Sequence, residues 1–220
     1  MSAITVPLSS TSRTALRRKK ERGSTDRDDL YAVLDAGMIC HLGVVLDGSP
    51  RVLPTAYGRI DDTLYLHGSV ANSAFGGADD HEVCVTVTLL DGLVCARSVN
   101  AHSMNYRSAM IFGVARMVHD EAGRLAGLRA VTETLIPGRW AATREPNRKE
   151  MAAVAVLALP LAEASVKIRT GGPLDASEDY ALDVWAGVVP VRTVFGTPEP
   201  DPALRPGLPV PQHIRDRVTS

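Results

Sequence analysis

Cysteine, aromatic residues and long apolar runs are all scarce in this chain of 220 residues, and each scarcity narrows what it can be. The three cysteines, Cys40, Cys84 and Cys95, form no C-x-x-C pair and sit in apolar, strand-like runs. Buried, reduced thiols are therefore expected. His41 beside Cys40 is not a metal pair, because adjacent strand residues point to opposite faces; no metal site is expected. Aromatics make up 5%, and none are interleaved with a basic patch, so nucleic-acid binding finds no support there. No apolar run approaches the roughly 18 residues that span a bilayer. The N-terminus lacks the apolar segment of a secretory signal. A cytoplasmic protein without a membrane partner is the expectation.

Motifs of several large enzyme classes are missing as well. There is no G-x-G-x-x-G after a strand, no G-x-x-x-x-G-K-[ST] and no G-x-S-x-G, which disfavours dinucleotide folds, phosphate-binding loops and α/β-hydrolases. Paired carboxylates occur only in turns, at Asp61-Asp62 and Asp79-Asp80, where solvation and local hydrogen bonding explain them. The residues name no catalytic acid, base or nucleophile.

What is present is ordinary in amount and uneven in place. The 24 basic and 25 acidic residues nearly balance, yet Arg13, Arg17, Arg18, Lys19, Lys20 and Arg22 crowd one short stretch. Such an arm can touch a phosphate or nucleic acid, but it is more often a solvated, poorly ordered terminus. The chain divides accordingly into a flexible basic arm (residues 1–21), one domain (22–197) and a Pro-rich tail (198–220).

Within the domain, Asp26–Ala36 has helical spacing, with Asp26 or Ser24 to cap it and Gly37 to end it. Strands are expected at 38–46, 51–59 and 63–67, separated by Asp47-Gly48-Ser49 and Asp61-Asp62 turns. A short helix is plausible within 70–77. Strands follow at 82–90 and 93–99 around a turn at Asp91-Gly92, then at 110–118. A helix spans 120–135 and stops at Pro137-Gly138. A short helix near 147–152 and strands at 154–161 and 164–169 complete the pattern. Many short strands with one long helix predict a mainly β fold with outer helices, an α+β barrel.

Two polar clusters stand against these apolar strands. His67-Gly68-Ser69, followed by Asn72 and Ser73, lies where a strand passes into a short helix, an arrangement that suits a phosphate monoester. A helix cap by Ser69, with no ligand, explains it equally well. The second cluster, Ser103 to Ser108, holds Tyr106, Arg107 and Ser108. Its guanidinium can fork onto a phosphate, or the cluster can be a loop tied down by its own side chains, with Arg107 paired to a carboxylate. Trp185 can stack on a planar ring or simply anchor a core. His102 is a lone imidazole.

Taken in order, Val52–Gly58, Leu64–Ser69, Val85–Val94, Ala96–Ser98, Ser103–Ser108, Pro137–Trp140, Ala164–Arg169 and Val184–Gly187 resemble flavin-nucleotide-binding proteins related to pyridoxamine 5′-phosphate oxidase. The resemblance runs from about residue 22 to 211. It implies a homodimeric split β-barrel holding FMN at the subunit interface. Backbone around Leu53, Pro54 and Thr55 would face the isoalloxazine. His67, Gly68, Ser69, Asn72 and Ser73 would surround the ribityl phosphate. Tyr106, Arg107 and Ser108 would contact the flavin, and Trp185 would approach it from the other subunit. Relatives often carry a longer, basic helix after the His-Gly-Ser segment, whereas Ala74–Asp80 is short and acidic. They also often show two adjacent histidines where this chain has Ala101-His102. The implied activity is flavin-dependent oxidation or reduction of a small molecule that the sequence does not identify. The alternative is a carrier or sensor holding FMN or haem in the same cleft, with His67 or His102 as the first candidates for an axial ligand.

Overall fold

The computed structural model describes residues 7–8 and 11–219. A two-residue strand β1 (Gly23–Ser24) precedes helix α1 (Arg27–Ala36), then strands β2 (Ile39–Leu46), β3 (Ser49–Ile60) and β4 (Thr63–Ser69). Helix α2 (Ser73–Ala78) leads to the two longest strands, β5 (His81–Cys95) and β6 (Ser103–Met117). Helix α3 (Glu121–Leu135), helix α4 (Arg148–Ala153), strands β7 (Val154–Pro160), β8 (Glu163–Arg169) and β9 (Gly187–Pro190), and helix α5 (Gln212–Thr219) complete the chain.

The strands pair antiparallel in the order β1-β8-β6-β7-β4-β3-β2-β5-β9, and a further β5–β6 pairing closes a ring of six. Both long strands change partners along their length. β6 pairs with β8 through Tyr106–Phe112 and with β7 only at Arg116 and Met117. β5 pairs with β2 at Cys84–Thr86 and with β9 at Gly92–Cys95. The barrel is thus split, and the expected mainly β architecture with outer helices is the one observed.

Local chemistry accounts for the joints. Asp47 and Gly48 both have positive φ, 50° and 74°, as a two-residue hairpin turn whose twist matches its strands requires. Asp26 caps α1 by accepting from the Asp28 N–H, and Asp120 caps α3 through Gly123. Leu30, Val33 and Leu34 of α1 are buried with Leu42, Leu64, Leu66, Val85 and Ile111 in one core. Tyr57 is fully buried, and its hydroxyl donates to the Leu34 carbonyl at 2.5 Å. That carbonyl lies in the last turn of α1, where no helical donor reaches it.

Several expectations need correction. Asp91-Gly92 is not a turn; the strand runs on through it as a β-bulge. Ser103–Ser108 is the first part of β6, not a loop. The short β9 and the final helix α5 were not foreseen. Of the cysteines only Cys40 is buried, while Cys84 and Cys95 are half-buried; burial pushes the Cys40 thiol up to about 12. The basic arm also packs where solvation was expected. Arg13 bonds Glu163 at 2.5 Å and Glu82 at 2.9 Å, and Thr14 is buried. Residues 1–6 and 9–10 of that arm lie outside the described residues. The Pro-rich stretch 198–211 has no regular element, but the chain returns in α5, where Arg217 lies 4.4 Å from the Phe195 ring centre.

Candidate functional site

The β3–β4 hairpin holds together only near its turn. The two strands are paired from Ile60↔Thr63 to Tyr57↔Leu66, and beyond that point they part. β3 continues alongside β2 down to Leu46↔Ser49, while β4 continues alongside β7 up to Ser69↔Val154. Residues 49–56 of β3 therefore have a partner on one side and an open edge on the other.

Which backbone groups reach that edge follows from the turn. In a two-residue hairpin the closing pair, Leu46↔Ser49, is hydrogen-bonded, and bonded pairs then alternate with non-bonded ones. Arg51, Leu53 and Thr55 turn their amides toward β2. Pro50, Val52, Pro54 and Ala56 turn theirs outward. Both prolines occupy outward positions, where a missing N–H breaks no ladder bond. The open edge offers N–H groups from Val52 and Ala56 and a carbonyl from Pro54, between strands too far apart to use them. A planar ligand with its own donors and acceptors fits such an edge. Of the expected trio, Pro54 faces it, while Leu53 and Thr55 contribute mainly half-buried side chains.

The opposite wall is the end of β4. His67 is half-buried, and its Nδ1 is buried with no hydrogen-bond partner among the described residues. Burial pushes its pKa below the usual histidine value, so the imidazole stays neutral and keeps a lone pair for a ligand. Gly68 has a packing role: a Cβ there would lie 2.9–3.2 Å from atoms of the Phe75 ring. Beyond it the chain satisfies itself. Ser69 Oγ accepts from Ala71 N at 3.1 Å, and Asn72 Oδ1 accepts from Ala74 N at 3.0 Å. The cap of α2 is thus Asn72, not Ser69, and Ser73 is exposed at the first helical position. The acidic residues that follow face β6: Asp79 accepts from Met117 N, and Asp80 pairs with Arg116, both at 2.7 Å.

The second cluster divides between two faces, because it lies in a strand. Tyr106 and Ser108 point outward with Met104 and Met110. Arg107 points the other way, where its guanidinium forks onto Asp91 at 2.8 and 3.0 Å. Asp91 is the extra residue of the bulge, and the bulge is what aims it there. The carboxylate pairing, not a phosphate fork, is therefore what the structure shows for Arg107. Trp185 is 68% exposed just before β9, its ring about 3 Å from where a Gly187 Cβ would stand. His102 donates through Nδ1 to the Ser98 carbonyl, 2.8 Å away.

Pairing also shows how far apart the two clusters are. Pro54 lies opposite His41, His41 opposite Thr86, and Thr86 opposite Met110. Three strand spacings amount to about 14 Å along the sheet. One chain does not bring Tyr106 and Ser108 onto the same ring as Pro54. The outward face between them carries Val52, Leu90, Leu93, Met104 and Met110, each at least 40% exposed.

A cavity of about 740 Å³ lies elsewhere, lined by Leu125, Ala126 and Ala130 of α3 together with Trp140 and Arg217. It contains none of the expected site residues. No sequence signal points to it, since α5, which forms part of its wall, lies within the Pro-rich tail.

Comparison with known proteins bears on the same region. The family model described as pyridoxamine 5′-phosphate oxidase matches residues 26–168. The flavocytochrome Anf3 from Azotobacter vinelandii is 42% identical, with 94% of this chain and 97% of that one covered and a TM-score of 0.89. The FAD and heme binding protein from Mycobacterium smegmatis is 39% identical over 90% of this chain and 97% of its own, with a TM-score of 0.86. A Bacteroides thetaiotaomicron protein named for 5-nitroimidazole antibiotic resistance shares the fold at 22% identity, covering 66% of this chain and 86% of its own, with a TM-score of 0.57. No curated protein matches the sequence.

Proposed function

The chain belongs to the pyridoxamine 5′-phosphate oxidase family, and on that premise we propose that it is a flavin-binding redox protein whose flavin lies along the open edge of β3. The observation that carries this reading is the parting of β3 from β4 beyond Tyr57, which leaves outward amides without a strand to pair with. The names of the two relatives near 40% identity, a flavocytochrome and a FAD and heme binding protein, support it.

The FMN moiety is the part these residues address, either as FMN itself or within FAD. Val52 and Ala56 N–H and the Pro54 carbonyl would hydrogen-bond the flavin, with Leu53 and Thr55 as neighbouring contacts. His67, Gly68, Ser69, Asn72 and Ser73 flank the ribityl phosphate. Tyr106, Ser108 and Trp185 complete the site from a second copy of the chain; the 14 Å separation and the exposed apolar face favour a homodimer. Arg107 acts through Asp91, holding the bulge rather than the ligand. A bound flavin supplies hydride and single-electron transfer, so the protein's share is to bind, orient and exclude water while a small molecule, as yet unidentified, is oxidised or reduced.

The test is direct. The purified protein is expected to be yellow, and chromatography of the flavin released by heat distinguishes FMN from FAD. Val52→Pro and Ala56→Pro each remove one outward N–H while leaving the β2 ladder intact, and each should weaken flavin binding about tenfold or more. Unchanged affinity in both variants would exclude the β3 edge.

A second cofactor has its own supporting observation. The half-buried His67, whose Nδ1 has no hydrogen-bond partner among the described residues and whose pKa burial lowers, would suit a haem iron as a ligand, and the two relatives are named a flavocytochrome and a FAD and heme binding protein. Haem titration should give a Soret band that His67→Ala abolishes. A band unaffected by that substitution turns the search to His102.

A further inference from the structure

We propose that the cleft between the N-terminal arm and the end of β8 binds a phosphoanhydride, the diphosphate group of a nucleotide. The arm reaches this place by folding back. Lys19 adopts φ 55° and ψ 52°, a left-handed conformation disfavoured for any residue with a Cβ. Lys20–Arg22 then make a single 3-10 turn, and Gly23 pairs with Lys167 of β8.

The result is a cavity of about 490 Å³ lined by Arg18, Lys19, Arg22, Lys167, Arg169 and His102. Among the described residues no carboxylate lines it. Among the described residues, none of Arg18, Lys19, Arg22 and Lys167 enters an ion pair, whereas seven other arginines do. Asp175, next to the lining Leu174, is already held by the backbone N–H and guanidinium of Arg97, both at 2.9 Å. Arg169 is 6% exposed and fixed by Asn105 and the carbonyls of Gly171 and Gly172, all neutral acceptors. Burial first, and then the charge of Arg22, push its guanidinium below the usual value.

Like charges converge at a cost unless something of opposite sign joins them. A strained lysine that helps gather them strengthens the case. The shape selects the ligand. The cleft is concave and of nucleotide size, its forked guanidiniums suit phosphate oxygens, and Leu174 and Ala101 offer a small apolar wall for a base. Nucleic acid asks instead for an extended basic surface, with aromatics to stack on single-stranded bases.

The experiment is calorimetric titration of the full-length protein with inorganic diphosphate, ADP and adenosine at low and moderate salt. Diphosphate and ADP should bind, more weakly as salt rises, and adenosine should not. Lys167→Ala and Lys19→Gly should each weaken ADP about tenfold. Lys19→Gly should do so with no loss of Tm, because glycine relieves the left-handed strain; a purely structural lysine would leave ADP affinity unmoved. Repeating the ADP titration on flavin-stripped and flavin-loaded protein separates the two sources of the group. Binding to both forms identifies a separate nucleotide site, and binding to the stripped form alone identifies the diphosphate of a dinucleotide cofactor. A protein that never takes up flavin still permits the ADP measurement. No heat with millimolar diphosphate, unchanged affinity in both variants, or tighter binding of short duplex DNA than of ADP would overturn the proposal.

Discussion

Replacing Gly58 by alanine tests how α3 is held on the barrel. Gly58 is buried in β3, opposite Tyr65 of β4, on the face that α3 covers. A Cβ at this position would stand 2.5 Å from the Ala130 carbonyl oxygen and closer still to the Ala130 carbon and the Val131 nitrogen. Carbon atoms in good contact sit about 3.5–4.0 Å apart, so the helix backbone must retreat by more than an ångström. No side chain can swing aside to spare it. Overpacking costs typically 1–3 kcal/mol, and a backbone collision belongs at the upper end, about 3 kcal/mol. For a protein of this size each kcal/mol moves Tm by roughly 2–4 °C, so a fall of about 6–12 °C is expected. Gly127→Ala meets only the side chains of Val156 and Tyr65, at 2.7 and 2.9 Å. Its gain in helix propensity, close to 1 kcal/mol, offsets part of the clash. Gly76→Ala meets nothing within 4 Å and should be neutral or stabilising. Thermal unfolding followed by circular dichroism should rank the three in that order. A Gly58→Ala protein melting within 2 °C of wild type, by about the same scale, would refute the close-packed account of α3.

Tyr57→Phe removes the hydroxyl that serves the Leu34 carbonyl; both groups are buried, so urea denaturation should report a loss of about 1–3 kcal/mol. Asn147→Ala breaks the capping box that Asn147 forms with Glu150 at the start of α4, and a loss of about 1 kcal/mol is expected in the same assay. His67 gives a pH signature in cofactor-free protein: its folded-state pKa is depressed, while in the unfolded chain it titrates near 6.5. The unfolded state therefore binds more protons below about pH 6.5, and stability falls as pH drops through that value and is retained above it. His67→Gln should flatten the urea midpoint between pH 7 and 5 relative to wild type; parallel profiles would show that the imidazole is not held neutral.

The features legible in advance were those whose cause is local. Asp47-Gly48 between alternating strands makes the turn that its residues demand, and Asp26 caps the helix that follows it. Asp91-Gly92 looks the same locally and became a bulge, because β6 is long enough to keep pairing beyond it; a partner's length is not written in the turn. The Tyr106-Arg107-Ser108 cluster was visible as polar residues together. Its division between two faces depended on whether it lay in a loop or a strand, and the apolar alternation that marks a strand fades there. Pro50 and Pro54 were the missed signal for the open edge, since two prolines four apart in a strand mark the side that lacks a partner. The basic arm was visible as charge, but its convergence with Lys167 and Arg169 was not, because it needs the register between β1 and β8.

That register sets an order in time. Arg13 meets Glu163 across 150 residues of sequence, and the partner of β1 lies nearly as far downstream. Synthesis at about 5–20 residues per second separates the emergence of the two ends by roughly 8–30 s. Through that interval the β2–β3–β4 meander and the β5–β6 pair can form from neighbouring segments, while the arm waits with its cations in solvent. The basic cleft is then assembled after the strands of the ring and before β9 and α5, and a nascent chain lacking β8 would have a nearly complete barrel but no cleft.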